Sequence, residues 1–320
     1  MIAVSSSVVL LTAALLDYLI GDPWNWWHPV QGMGWAIARY RNLVLRWLQH
    51  PVALRLAGIG LGLGLPIGCA GLGWLLVGGA YHLHWAIGWG VESLLLASCF
   101  AGRSLRDAAV DVLTPLQEGD LQQARSHLSR YVGRDTATLP EAEILRAVLE
   151  TVTENATDGV LAPLFYATVG SLLTGVGPLP LALAYKATST LDSMIGYREA
   201  PYTDFGWFSA RLDDFLTWVP CRLLVLTLSL LSGKPVNVWR LCWRDAPLDP
   251  SPNSGWSECA YAAVLGVQVG GLNWYQGVAK PKPLLGEPLH AITPDRIRQA
   301  LQLTRWCFLL WLAIALPFTT

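Results

Sequence analysis

Apolar residues in this chain fall in long blocks, at about 1–20, 56–81, 83–101, 159–185, 215–232, 259–272 and 303–319. A helix that crosses a bilayer needs about 20 apolar residues at a rise of about 1.5 Å each. The first three blocks and the last meet that length and predict spanning helices. The first has no basic segment before it and runs into Gly21-Asp22-Pro23 rather than a small-residue cleavage site, so it reads as a retained helix. Blocks 159–185 and 215–232 are interrupted, one by Thr174-Gly175-Val176-Gly177-Pro178-Leu179-Pro180 and the other by Pro220 and Arg222. Those residues predict broken helices. The first fits two halves that dip in and return, provided other protein covers the backbone at the turn.

Between 102 and 158 the blocks give way to a helical period. Leu105, Ala108/Ala109, Val112 and Leu116 recur at amphipathic spacing, and a second helix is predicted to start at Pro140-Glu141 and run to about Asn155. The fold predicted is therefore all-α. It is a polytopic integral membrane protein with roughly four to six spanning or re-entrant helices, and residues 1–320 form one membrane-embedded domain with a soluble helical insertion at 102–158.

Composition sharpens this picture. Hydrophobic residues make up 53% of the chain and charged residues 14%, where a soluble domain carries about 25% charged. The mean hydropathy is +0.39, and sixteen Trp suit the headgroup layer. A net charge of −1 gives no polyanion-binding surface, so no nucleic-acid partner is expected. The six Cys contain no C-x-x-C pair and spell no disulfide or zinc framework. Seven glycines between 58 and 73 lack the strand–turn–helix context and G-K-[ST] of a nucleotide loop, so they read as small residues for close helix packing. Arg39, Arg41, Arg46 and Arg55 stand together without an acid at 38–55, which predicts a cytoplasmic loop. The 102–158 stretch and the segment 186–214 then face the cytoplasm too, on the inner face of a cell membrane.

Polar residues gather in four places. The first holds Asp17, Asp22, His28-Pro29-Val30 and Met33-Gly34. Asp17 closes an apolar helix, so it either belongs to a site or ends the helix at the headgroups. In the second, Glu150, Glu154 and Asp158 are spaced i, i+4, i+8. A continued helix stacks them on one face, where they repel unless a cation sits between them. Carboxylates of this kind suit Mg²⁺ held jointly with substrate phosphates, the alternative being a solvated face. The third runs from Lys186 through Ser189, Thr190, Asp192 and Ser193 to Tyr197. Its hydroxyls and Lys either hold phosphate oxygens or satisfy backbone groups of a membrane helix. The fourth holds Arg211, Asp213 and Asp214; Arg211 and Asp214 are placed to pair with each other, and a smaller cluster follows at Pro252-Asn253-Ser254-Gly255-Trp256-Ser257-Glu258. His82-x-His84 reads as interfacial histidines, and there is no P-loop, G-x-S-x-G or H-E-x-x-H.

Taken in order, these stretches resemble the CobD/CbiB family of cobalamin-biosynthesis proteins. The resemblance rests on Asp17-x-x-x-Gly21-Asp22-Pro23 with His28-Pro29-Val30, on Gly133-Arg134-Asp135-Thr136, and on Glu150-Thr151 to Asp158-Gly159-Val160 with Ala162-Pro163-Leu164-Phe165-Tyr166. It continues through Lys186-Ala187-x-Ser189-Thr190-Leu191-Asp192-Ser193-Met194-x-Gly196-Tyr197, Phe205-Gly206, Ser209-Ala210-Arg211-Leu212-Asp213-Asp214 and Pro252-Asn253-Ser254-Gly255. It implies adenosylcobinamide-phosphate synthase activity. That is ATP-dependent ligation of the free carboxyl of adenosylcobyric acid to (R)-1-amino-2-propanol or its O-phosphate. The roles expected on that basis give Glu154, Asp158 and Asp192 to Mg²⁺, with Asp213 or Asp214 in support. Asp22 and His28 close the site, His28 as base for the amine. Asp17, Asn155, Lys186, Ser189, Thr190, Ser193, Tyr197, Arg211 and Asn253 contact substrate or phosphate. Two other classes of function remain in view, a non-catalytic membrane scaffold for other corrinoid-pathway enzymes and a small-solute transporter built on the broken helix. A transporter needs acids deep between spans, whereas these acids cluster at span ends.

Overall fold

The computed structural model describes residues 4–21 and 28–319. It is almost wholly helical, with fourteen α-helices and one β-hairpin among the described residues. Three helices, Pro51–Leu83, Trp207–Leu231 and Pro294–Phe318, are long and apolar enough to cross a membrane. A fourth span counts if Trp85–Ala97 and Gly102–Gln117 act as one broken pair. The protein is a polytopic helical membrane protein.

The chain divides into two compact units, residues 1–101, 162–217 and 310–320 in one, 102–161 and 218–309 in the other. The first unit begins with α1 (Ser6–Leu19), α2 (Pro29–Trp47), α3 (Pro51–Leu83) and α4 (Trp85–Ala97). At 14 residues α1 is shorter than the predicted first span, and α4 has 13 where 83–101 predicted a full crossing. By contrast α3 is one 33-residue helix, about 50 Å long against a hydrocarbon core of about 30 Å. Histidine punctuates this region. Nδ1 of His28, His50 and His84 accepts from the backbone N–H two residues on, at 3.2, 3.3 and 3.2 Å, and so caps α2, α3 and α4 in turn. The basic stretch 38–55 accordingly covers the end of α2, a short break at 48–50 and the start of α3, which carries Arg55. Met33, Ile37 and Val44 bury one face of α2, and the arginines spread along its length. Arg39 and Arg46 lie over Trp35 and Trp47, Arg41 donates to Tyr202 Oη, and Arg55 pairs with Asp204 at 2.8 Å.

The 159–185 block becomes α8 (Ala162–Leu172) and α9 (Pro178–Ile195), joined by a turn in which Gly175 and Gly177 have positive φ. Trp74 Nε1 holds that turn through Gly175 O at 2.8 Å. Glycines of α3 divide by use. A Cβ on Gly58, Gly62 or Gly73 would overlap Phe205 O, Phe208 or Leu183, whereas Gly64, Gly68 and Gly71 face open space. Short α10 (Tyr202–Phe205) leads into α11 (Trp207–Leu231) through Gly206, where a Cβ would strike Ile195 O at the end of α9.

The 215–232 block, read as broken at Pro220, lies inside the unbroken α11. A proline deprives the carbonyl four residues back of its donor. Here that carbonyl is Leu216 O, and the Tyr166 hydroxyl donates to it at 2.8 Å. Tyr166 stacks on Tyr185, whose hydroxyl meets Thr217 Oγ1 at 2.9 Å.

The second unit holds α5 (Gly102–Gln117), α6 (Leu121–Leu128), α7 (Glu141–Asn155), α12 (Pro235–Asp245), α13 (Ser254–Leu265), most of α14 (Pro294–Ala315) and a hairpin. The hairpin pairs β1 (Gln268–Tyr275) with β2 (Val278–Gly286), with a bulge between Val269 and Gly271. Its two-residue turn, Gln276-Gly277, has both φ positive, as tight hairpins require. The 259–272 block thus splits between α13 and a strand.

Candidate functional site

The second unit contains a network of buried charge built on α7. Glu150 is 1% exposed. Its carboxylate pairs with Arg134, with Arg146 Nη1 at 2.9 Å, and with the N–H of Gly270 at 2.8 Å. Asn273 Oδ1 accepts from both arginines, at 2.9 and 3.0 Å, and Arg146 also pairs with Glu143. Burial alone pushes the Glu150 carboxyl up, but Arg134, Lys282 and Arg146 outweigh it and hold the group below the ordinary carboxylate range. Next to Arg134, the Asp135 carboxylate accepts from the N–H groups of Gln276 and Gly277 at 3.0 and 2.8 Å. The Gly-Arg-Asp-Thr stretch therefore clamps the hairpin at its turn and fixes its strand to α7.

One turn beyond Glu150 the helix changes. Residues Ala156–Leu161 form a π-helical segment between α7 and α8. Such wide turns recur at functional sites. Asp158 lies inside this one, so the i, i+4, i+8 register of one continuous α-helix does not run unbroken from Glu150 to Asp158. The segment is locked to α13: Thr157 Oγ1 donates to Ser257 Oγ at 3.0 Å, which donates to Thr153 O. Gly255 allows the approach to the preceding loop, because a Cβ there would strike Asp249 and Ala246 O. Asn253 Oδ1 accepts from Arg222 at 3.0 Å, and that guanidinium lies 4.5 Å from the Trp256 ring centre.

Glu154 faces different neighbours from Glu150. Its surface is open to solvent although protein surrounds it closely, and that burial, with Asp249 and Glu150, raises its carboxyl against the pull of Lys282. Lys282 on β2 contacts Glu258 Oε1 of α13 at 2.6 Å, and the Glu258 side chain is 0% exposed. Burial lifts Glu258 well above the carboxylate range while Lys282 pulls it back. Burial also disfavours the Lys282 charge, yet Glu258, Glu154 and Glu150 raise its proton affinity. With three carboxylates acting on one ammonium, Lys282 is the firmly charged member. Glu258 closes the smaller polar cluster at 252–258, whereas Lys282 does not stand out in the sequence. Glu258 ends the Pro-Asn-Ser-Gly stretch on the buried face of α13, and Lys282 alternates with prolines in β2.

In the first unit the α9 cluster is arranged otherwise. Thr190 Oγ1 donates to Lys186 O at 2.7 Å, Ser193 Oγ to Thr190 O at 3.0 Å, and Tyr197 Oη to Ser193 O at 3.0 Å. The predicted polar face exists, but its hydroxyls are engaged with their own helix. Lys186, Ser189 and Asp192 are half-buried. The Asp192 carboxylate folds over Gly196, where a Cβ would overlap it. Asp213 is 8% exposed, and Asp214 lies 3.6 Å from Arg211 as the spacing predicts. Asp17 is buried on α1, and Asn155 Nδ2 donates to Thr151 O at 2.9 Å. His28 serves as the cap of α2, and Asp22 lies outside the described residues.

No three His, Cys, Asp or Glu side chains converge as a metal cage among the described residues. The cations that act on the Glu154 carboxylate are Lys282 and Arg134.

Fold and site together define a helical membrane protein with a carboxylate- and lysine-lined site in its second unit. A family model described as CobD/Cbib protein matches residues 10–304. The cobalamin biosynthesis protein CobD of Synechocystis is 52% identical over 97% of this chain and 90% of its own length. The cobalamin biosynthesis protein CbiB of Salmonella arizonae is 41% identical over 91% of this chain and 90% of its own, and Citrobacter koseri CobD is 40% identical over the same shares. The chain belongs to the CobD/CbiB family. No solved structure matches it.

Proposed function

We propose that this protein acts in cobalamin biosynthesis as an ATP-dependent amide ligase. In this reading it joins the free carboxyl of adenosylcobyric acid to (R)-1-amino-2-propanol or its O-phosphate. The observation that carries the reading is the charged network at α7, α13 and the hairpin, set in a chain of this family. A carboxylate does not react with an amine directly. It must first be activated, as an acyl phosphate in our reading, and phosphoryl transfer depends mostly on positioning and charge neutralisation. Magnesium bound to the nucleotide supplies charge neutralisation of the phosphates.

The chain's own residues supply the rest. Lys186 and Arg211 offer cationic groups for phosphate oxygens, and Asp192, Asp213 and Asp214 are the carboxylates assigned to order them. Arg134, Arg146 and Glu150 position α7 against the hairpin so that Glu154 and Lys282 meet the reacting groups. The site is assigned to the cytoplasmic face of the inner membrane, where ATP is available.

The test is reconstitution. Detergent-solubilised protein is given adenosylcobyric acid, ATP, Mg²⁺ and either amine, and the products are weighed by mass spectrometry. An ATP-dependent amide is expected. A folded, corrinoid-binding protein that forms none would favour the scaffold reading.

A further inference from the structure

We propose that Glu154 and Glu258, beside Lys282, form the subsite for the primary ammonium group of the amine substrate, an inference that rests on the ligase reading above. Helix α13 packs on both α7 and β2; Ser257 Oγ donates to Thr153 O, which sets Glu258 and Glu154 on adjoining stretches, and Lys282 of β2 pairs with Glu258. Glu258 Oε1 is taken by Lys282 at 2.6 Å, while Oε2 meets no hydrogen-bond partner among the described residues. The side chain is wholly buried. A carboxylate oxygen buried without a donor is costly, and a ligand that brings a donor relieves it.

Charge points the same way. Glu258, Glu154 and Glu150 all act on the Lys282 ammonium, and Glu150 is already paired with Arg134 and Arg146. Asp249 Oδ1 accepts from Ser251 N at 2.8 Å and Ser254 Oγ at 3.3 Å. Glu154 is the solvent-open member of the group. An alkylammonium carries three donors on one positive charge, enough to reach Glu258 Oε2 and Glu154 together. A divalent ion demands an octahedral oxygen shell at about 2.0–2.1 Å and would sit against the Lys282 charge. The subsite therefore selects a primary amine over the corresponding alcohol, and Lys282 lowers its affinity for doubly charged cations.

The experiment uses the full chain in detergent without ATP or corrinoid. Calorimetry follows titration with 1-amino-2-propanol, with 1,2-propanediol, and with Mg²⁺ alone. The amine is expected to bind and the diol not. Glu258→Gln and Glu154→Gln are each expected to weaken the amine about tenfold or more. Circular dichroism checks the fold, and the solvent-open Glu154 variant carries the test if the buried one fails to fold. Amine binding unchanged in the folded variants, no amine binding to the parent chain, or Mg²⁺ binding that depends on Glu258 would each overturn the subsite. Glu258-dependent amine binding without any amide product in the full reaction keeps the subsite and removes the ligase. Amide formation with an unchanged KM for the amine in both variants keeps the ligase and removes the subsite.

Discussion

Two polar stretches of this protein, the carboxylates of α7 and the hydroxyls of α9, have similar densities of functional groups and opposite uses. Along α7 the buried charge reaches other elements: Glu150 to Arg134 and the hairpin, and Arg146 to Asn273 of β1. Along α9, Thr190, Ser193 and Tyr197 turn back onto carbonyls of their own helix. In a membrane protein a hydroxyl is easily satisfied by the backbone three or four residues away. A buried carboxylate needs charged donors, and Glu150 takes one from its own helix, Arg146, and another from outside it, Arg134. A polar cluster thus says more about tertiary contacts when it is built of charge than when it is built of hydroxyls. Even within α7 the contrast holds, since Glu150 is closed and fully paired while Glu154, one turn on, stays open.

The sharpest way to break that contrast is at Glu150. Glu150→Gln leaves Arg134 and Arg146 without their shared carboxylate and is expected to cost about 3–5 kcal/mol, as removal of one partner from a buried ion pair does. Denaturant unfolding of the second unit, followed by hydrogen exchange, measures it. Because the folded carboxyl is held below its ordinary value, its stabilising contribution is complete above about pH 4.3 and is lost as pH falls through the folded value. The parent chain should therefore lose stability on acidification more steeply than the variant. Glu154→Gln should change stability by no more than about 0.5 kcal/mol. Equal losses at the two positions would erase the distinction.

Asp192→Asn tests the α9 carboxylate assigned to the reaction. Turnover is expected to fall about 10²-fold or more with membrane insertion intact, and near-normal activity would remove Asp192 from the mechanism. Smaller still is the effect of Tyr166→Phe, which leaves Leu216 O without the donor that replaces the proline-blocked bond. The expected loss is about 1–3 kcal/mol, read as a lower unfolding temperature for α11 and its neighbours. Ser193→Ala, which removes only a hydroxyl bonded to its own helix, should shift stability by less than about 0.5 kcal/mol and leave activity within a few-fold.

Much of the fold was legible in the sequence where a period or a block was strong. Helices at 102–117 and 141–155 follow their apolar spacing, and the split of 159–185 follows its glycines and prolines. Pro220 misled because its consequence is cancelled from outside the helix, by a hydroxyl 50 residues earlier in the chain. The arginines of α2 read as a loop because their face is polar while the buried face, Met33, Ile37 and Val44, is narrow. The hairpin was hidden within an apolar block and short prolines, although Gln276-Gly277 between alternating residues was a usable turn signal. At the site, Glu150 and Glu154 were visible as acids, but no spacing rule pairs Glu154 with Lys282, 128 positions away in sequence. The π segment, which breaks the i, i+4, i+8 register, has no sequence rule of comparable strength either.

The central claim is activation of a carboxylate by ATP followed by capture with an amine, and isotope transfer tests it most directly. Adenosylcobyric acid carrying ¹⁸O in both oxygens of its free carboxyl is converted with ATP and aminopropanol, and both products are analysed by mass. Acyl-phosphate ligation predicts one labelled oxygen in the amide carbonyl and the other in inorganic phosphate. Phosphate free of label, or a protein that leaves the carboxyl intact while binding the corrinoid, would contradict the account.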